Sequence, residues 1–143
     1  MKNILSLLTL FTIAFTGISC DDNDNNVAIN DNIRAYINTH YPDAVILEAE
    51  YQYGYLEVEI FHNQTNKDVY FDNEDVWVMT TWDVATAALP QNVIGAITTE
   101  YPEYRIDDAE YTETPDGVYY NIEIEKGGVD IYIKVTLNGD IIP

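Results

Sequence analysis

Beyond Cys20 this 143-residue chain contains no serine and no second cysteine, and over its whole length it has two histidines and six basic residues. Each shortage excludes something. Serine and cysteine nucleophile mechanisms have no residue to use in the body of the chain. His40 and His62 stand far apart with no histidine–glutamate metal spacing around them; the pattern predicts His40 at a helix end and His62 in a loop. A single cysteine allows no internal disulfide, so the fold must rest on packing. Six Lys+Arg against 25 Asp+Glu leave a net charge of −19, which excludes nucleic acid and an anionic membrane surface as partners. There is no glycine-rich phosphate loop either, since Gly127-Gly128 reads as a hairpin turn. What is present is apolar: 47% of residues are hydrophobic and 13% aromatic, too many for a disordered acidic chain. The sequence therefore describes a folded acidic domain.

Residues 1–19 read as a secretory leader. Lys2 supplies the positive start, and Ile4–Phe15 an apolar stretch too short to span a bilayer. Gly17-Ile18-Ser19-Cys20 resembles a bacterial lipoprotein processing box, without the usual Leu at the third position before the cysteine. Processing there would make Cys20 a lipidated N-terminus held by two or more acyl chains; the competing reading is an ordinary signal peptide cleaved nearby. Residues 20–29 then form a tether, with Asp21-Asp22-Asn23-Asp24-Asn25-Asn26 polar throughout. An acidic run after a lipidated cysteine is similar to the surface-export signal of some Gram-negative lipoproteins, whereas Asp next to the cysteine retains others at the inner membrane. The expected address is the cell envelope, at the outer membrane or cell surface.

The chain repeats itself. Thr39-His40-Tyr41-Pro42-Asp43 recurs as Thr99-Glu100-Tyr101-Pro102-Glu103, and Ala49-Glu50-Tyr51 as Ala109-Glu110-Tyr111, both at an offset of 60. Leu56–Ile60 matches Tyr120–Ile124 at an offset of 64, the extra residues lying around Thr114-Pro115-Asp116-Gly117. Two tandem units are expected, 30–87 and 88–143, packed together because neither has much core alone.

Each unit reads as a helix followed by an antiparallel meander. Ile33, Tyr36, Ile37 and His40 keep helical spacing after Asn30/Asp31, and Val93, Ile94 and Ile97 do so after Pro90. Both helices should stop before a Tyr-Pro pair. Period-two alternation puts Leu56/Val58/Ile60, Tyr120/Ile122/Ile124 and Val129/Ile131/Ile133/Val135 inward. Asn138-Gly139 marks a tight turn. The fold class is α+β, with helices on one face of an antiparallel sheet and the other face open to water.

These residues carry a resemblance. Leu89-Pro90, a helix, Tyr101-Pro102, Ala109-Glu110-Tyr111, a turn, an alternating strand and Asn138-Gly139-Asp140-Ile141 resemble the PepSY-like, beta-lactamase-inhibitor-like lipoproteins, over about residues 30–143. The second unit matches best; the first lacks the Leu-Pro start and the Asn-Gly turn. In the namesake inhibitor, tandem helix-plus-sheet units present a concave sheet surface to an enzyme; the resemblance implies that geometry and not that target, and its motifs are structural rather than catalytic.

The candidate binding residues are aromatics opposite the core register: Tyr53, Tyr55, Tyr70, Trp77, Tyr119 and Tyr132. Exposed Tyr and Trp on an open sheet are hot-spot material, although cross-strand aromatic pairs also stabilise sheets without binding anything. Glu57/Glu59 and Glu123/Glu125 read as a solvated strand face. Asp72-Asn73-Glu74-Asp75 reads as a turn rather than a calcium loop, lacking the spaced glycine and distal glutamate. The expected function is non-enzymatic: an envelope lipoprotein that binds a protein or peptide, possessing a basic surface, through its sheet, and so inhibits an envelope enzyme. A structural or regulatory envelope module and a carbohydrate-binding protein are the alternatives. The anchor is checked directly: labelled fatty acid should enter the wild-type chain and not the Cys20→Ala variant, and label retained in that variant would refute it.

Overall fold

The computed structural model describes residues 27–142, so Cys20, the leader and residues 20–26 of the expected tether lie outside the described residues. The elements are α1 (Asp31–His40), β1 (Val45–Gln52), β2 (Tyr55–His62), β3 (Thr65–Phe71), β4 (Trp77–Asp83), α2 (Gln91–Glu100), β5 (Arg105–Thr114), β6 (Gly117–Lys126), β7 (Val129–Thr136) and β8 (Ile141–Ile142). A 3₁₀ turn at Thr86–Ala88 precedes α2. All eight strands join one antiparallel sheet in chain order.

Local chemistry places each element. Asn30 caps α1 by accepting from the Asn32 and Ile33 amides, and donates from its own amide to Asp75 in the β3–β4 turn at 2.7 Å. Both helices stop at the residue before a Tyr-Pro pair. The β1–β2 and β6–β7 turns place Tyr53-Gly54 and Gly127-Gly128 at positive φ, the geometry of two-residue hairpins. At Gly139 only glycine is possible, because a Cβ would stand 2.7 Å from the Asn92 carbonyl oxygen of α2.

Burial follows the alternation. Ile33 and Ile37 of α1 pack on Leu56, Val58, Ile60, Val69 and Phe71, while Val93 and Ile97 of α2 pack on Tyr120, Ile122, Ile124, Ile133 and Val135. Val27 and Ile29, inside the stretch expected to be tether, lie against the first of these cores, and the Val27 amide donates to the Ala49 carbonyl at the β1 edge. Each half bends its first strand at the same place, with register shifts between Ile46/Glu48 and Ile106/Asp108. The halves meet where β4 pairs with β5, Thr80 opposite Glu113 through Asp83 opposite Glu110. Trp82 stacks on Tyr111 at 4.3 Å there, with the Lys67 ammonium 3.1 Å from the Trp82 ring centre.

Three further expectations need correction. Trp77 does not face the open side. Phe71 pairs with Trp77 while Tyr70 pairs with Met79, so β4 carries an extra residue that reverses the parity of its first turn of strand. Trp77 therefore lies against the first core, stacked on Tyr36, its indole N–H donating to Thr80 Oγ1 at 2.9 Å. His62 is the last residue of β2 rather than a loop residue, edge-on to Tyr41. His40 ends α1 as expected, exposed and stacked on Tyr36. Val129, expected inward, is exposed, because the start of β7 runs beyond the area α2 covers.

Thr80 is fully buried and holds two partners, Trp77 and the Tyr41 hydroxyl at 2.7 Å. Replacing it by valine keeps the shape and leaves both partners without an acceptor or donor. Thr80→Val should destabilise by about 1–3 kcal/mol in denaturant unfolding, and an unchanged midpoint would refute this role.

Candidate functional site

The face opposite the helices is built from alternate residues of seven strands. Its tyrosines are Tyr55, Tyr70, Tyr119 and Tyr132, of which Tyr132 is the most exposed at 74%. Of the other sequence candidates, Tyr53 stands at the tip of the β1–β2 hairpin, Trp77 lies on the helix side, and Cys20 lies outside the described residues. The four tyrosines form no continuous patch. Tyr55 and Tyr70 belong to the first half and Tyr119 and Tyr132 to the second, where the Lys134 ammonium sits 4.9 Å from the Tyr119 ring centre.

Carboxylates fill the space between them. The register sets Glu48 opposite Glu59, Glu50 opposite Glu57, and Glu59 opposite Asp68; across the seam Asp83 faces Glu110, and beyond it Asp108 faces Glu123. Like charges directly opposite on a sheet are destabilising. Glu48, Glu50, Glu57 and Glu59 together line a depression of about 120 Å³. The corresponding positions of the second half, Asp108, Glu110, Asn121 and Glu123, line another with Tyr132. One difference separates the two. Asn121, standing where Glu57 stands, donates its amide to Glu110 at 3.0 Å and Thr112 at 3.1 Å, relieving the repulsion.

The first half keeps a carboxylate, Glu57, at that position, and amide donors reach only its neighbours. Glu59 accepts from Asn66 at 2.8 Å and Glu50 from Gln52 at 3.2 Å, but Glu57 Oε2 is buried with no hydrogen-bond partner. Thr81, only 4% exposed and paired with Asp68, also has an unpartnered hydroxyl on this face. The ion pairs among the described residues, Arg105 with Asp107 and Glu125 and Lys126 with Glu103, all lie in the second half. Lys67, the base of β3, points to the helix side over Trp82.

Electrostatics follow from this crowding. Burial, then Glu57, Glu59, Glu110 and Asp83, push the Asp68 carboxyl up to about 6. Burial raises Glu57 as well; the Tyr70 hydroxyl beside it opposes that shift, while Glu50, Glu59 and Glu48 add to it. Tyr70 is raised by its own burial and by Glu57. Among the described residues no group of three or more His, Cys, Asp or Glu has the geometry to hold a metal ion. The arrangement suits ammonium and guanidinium groups, which fit between several carboxylates and satisfy their free oxygens. Sequence reasoning missed this quartet because it took the acids strand by strand. The signal was there in the Tyr53-Gly54 turn, which fixes the β1–β2 register and so brings Glu50 to Glu57.

Comparison with known proteins agrees with this architecture. The PepSY-like family model, described as "Putative beta-lactamase-inhibitor-like, PepSY-like", matches residues 55–142. A solved BLIP-like protein from Bacteroides fragilis is 21% identical, with a TM-score of 0.74 over 86% of this chain and 89% of that one. A DUF2874 family protein from Bacteroides uniformis is 21% identical, with a TM-score of 0.70 over 81% of this chain and 88% of that one. A Bacteroides eggerthii structure described as "putative periplasmic proteins" is 18% identical, with a TM-score of 0.69 over 82% and 88%. At these identities the likeness is one of fold. No curated protein matches the chain. Among the described residues no helix is long and apolar enough to cross a membrane.

Asp68 gives the face a pH signature. Its carboxyl is raised in the folded state, so the stability it contributes when protonated is present below the ordinary carboxylate range and is lost as pH rises through about 6. The melting temperature should therefore fall mainly between about pH 4 and 6, and fall less in Asp68→Asn. Parallel pH profiles for the two proteins would contradict the assignment.

Proposed function

We propose, from the premise that the chain belongs to the PepSY-like, beta-lactamase-inhibitor-like family, that it is a non-enzymatic envelope lipoprotein whose open sheet face binds a basic protein or peptide. Inhibition of an envelope enzyme is the sharpest form of this reading. The observation that carries it is the first-half quartet, in which Glu48, Glu50, Glu57 and Glu59 face one another without a base, Glu57 holding a buried, unpartnered oxygen. Like charges set directly opposite one another cost the sheet stability. A cationic side chain entering the depression converts that repulsion into attraction and supplies the missing partner. Tyr70, opposite Glu57, and Tyr55, two residues before Glu57 on β2, add contact area at low entropy cost. The net charge of −19 speeds encounter with a basic partner.

The anchor belongs to the same reading. A leader ending in Gly17-Ile18-Ser19-Cys20 and the acidic run from Asp21 support lipidation at Cys20 and an outer-membrane or surface position. The alternative of carbohydrate binding is weakened by the scatter of the aromatics, with Tyr53 at a hairpin tip and Trp77 under α1. A structural or regulatory role would use the same face with a resident envelope partner.

Stability and binding should respond oppositely to one substitution. Glu57→Gln removes like charge and should stabilise the fold by about 0.2–1 kcal/mol, while weakening salt-sensitive capture of a basic partner from envelope extract. Capture that is unchanged in Glu57→Gln and in Tyr70→Ala would sink the site.

A further inference from the structure

The two halves differ most at their last strands. In the first half β4 pairs along β3, with Thr80 opposite Val69 and Thr81 opposite Asp68, and Thr80 receives the Tyr41 hydroxyl. In the second half Ile133 and Tyr132 of β7 occupy the places of Val69 and Asp68, and Tyr101 that of Tyr41. There β8 pairs only with Lys134 and Val135. Among the described residues nothing pairs with the outer edge of residues 129–133.

That edge retains strand chemistry. The Thr136 amide donates to the Asp140 carbonyl at 2.8 Å, away from β6. By antiparallel alternation the N–H and C=O of Lys134, Tyr132 and Asp130 point the same way. Those of Tyr132 and Asp130 are left open at the sheet edge. Beside them a groove of about 450 Å³ is lined by Tyr101, Tyr132, Ile133, Lys134, Ile141 and Ile142. Val129 and Tyr132 are exposed at 58% and 74%. An unpaired edge with a neighbouring groove of mixed polar and apolar lining is what an added strand requires.

We infer that the β7 edge accepts an extended segment of a basic partner, lying antiparallel to β7 as β4 lies to β3. The first half supplies the template for its side chains. Residues turned toward the helix side, opposite Ile133, are small and apolar or threonine, and meet Tyr101 as Thr80 meets Tyr41. Residues turned toward the open face, opposite Tyr132, are Lys or Arg, because Asp130, Glu123 and Asp108 stand there. A second copy of this chain is the poorer occupant: it would bring the same net −19 to an already acidic edge. This inference stands apart from the open-face reading, since it rests on backbone groups rather than on the quartet.

The test uses an eight-residue peptide alternating lysine with valine or threonine, and an isomer with the same residues in blocks. Binding of the alternating peptide should slow amide exchange at Asp130 and Tyr132 by about tenfold or more. Tyr132→Pro and Tyr132→Ala both lose the ring, but only the proline loses the outward amide, so Tyr132→Pro should bind about tenfold more weakly than Tyr132→Ala. Exchange at Asp130 and Tyr132 unchanged in wild type with peptide bound would overturn the inference and leave the open-face reading standing. Equal binding of the blocked isomer, equal loss in both Tyr132 variants, absence of binding, or protection that appears only as the protein self-associates in sedimentation would each overturn it too.

Discussion

The pairing of β4 with β5 is the constraint on which the rest depends. Each half has a helix and a meander, and each helix buries only its own patch of sheet. Left separate, each half would expose the edge of its outermost strand and bury too little surface to be stable alone. Four residue pairs, from Thr80–Glu113 to Asp83–Glu110, join them. Because a strand ladder holds the two sheets in one pleat, α1 and α2 must fall on the same face. The opposite face then runs unbroken from β1 to β7. Without that seam there would be two small acidic surfaces instead of one extended one. The Trp82–Tyr111 stack and the Lys67 ammonium sit on the helix side of this joint, so this base of β3 is kept from neutralising the acids on the other side.

That separation explains how the charge of −19 is accommodated. In the second half the acids are relieved: Asn121 replaces a carboxylate, Arg105 bridges Asp107 and Glu125, and Lys126 meets Glu103. In the first half, Glu48, Glu50, Glu57, Glu59 and Asp68 remain together with amide donors at their margin and, among the described residues, no ion-paired cation. One scaffold thus carries a settled half and an unsettled one. The asymmetry matters more than the total, because a uniformly acidic surface only keeps a protein soluble, whereas a local excess over its own internal counterpart selects a place for an opposite charge.

Much of the fold was legible in the sequence because it rests on short-range rules. Tyr-Pro pairs end both helices, and inward residues such as Val58, Ile60, Ile122 and Ile124 are fully buried as their alternation requires. The α+β class with helices on one face and the family resemblance follow from those rules and motifs, and both hold. Where reading failed, a longer-range fact decided. Val76-Trp77-Val78 looks alike in either register, and only the extra residue opposite Phe71 and Tyr70 turns Trp77 toward α1. Val129 alternates as a core residue but overhangs the area that α2 covers. The carboxylate quartet is invisible to any single strand, since it exists only when β1 is laid beside β2.

One feature of β4 governs how this molecule reports on itself. Both tryptophans, Trp77 and Trp82, lie on that strand, the first stacked on Tyr36 and the second on Tyr111. Indole emission therefore senses the first core and the joint between halves. The remote end of the sheet, from β6 to β8, contains only tyrosines. Fraying of the β7–β8 corner would leave the tryptophan signal silent, so an optical melt and an amide-exchange map of the same sample would describe different parts of the protein.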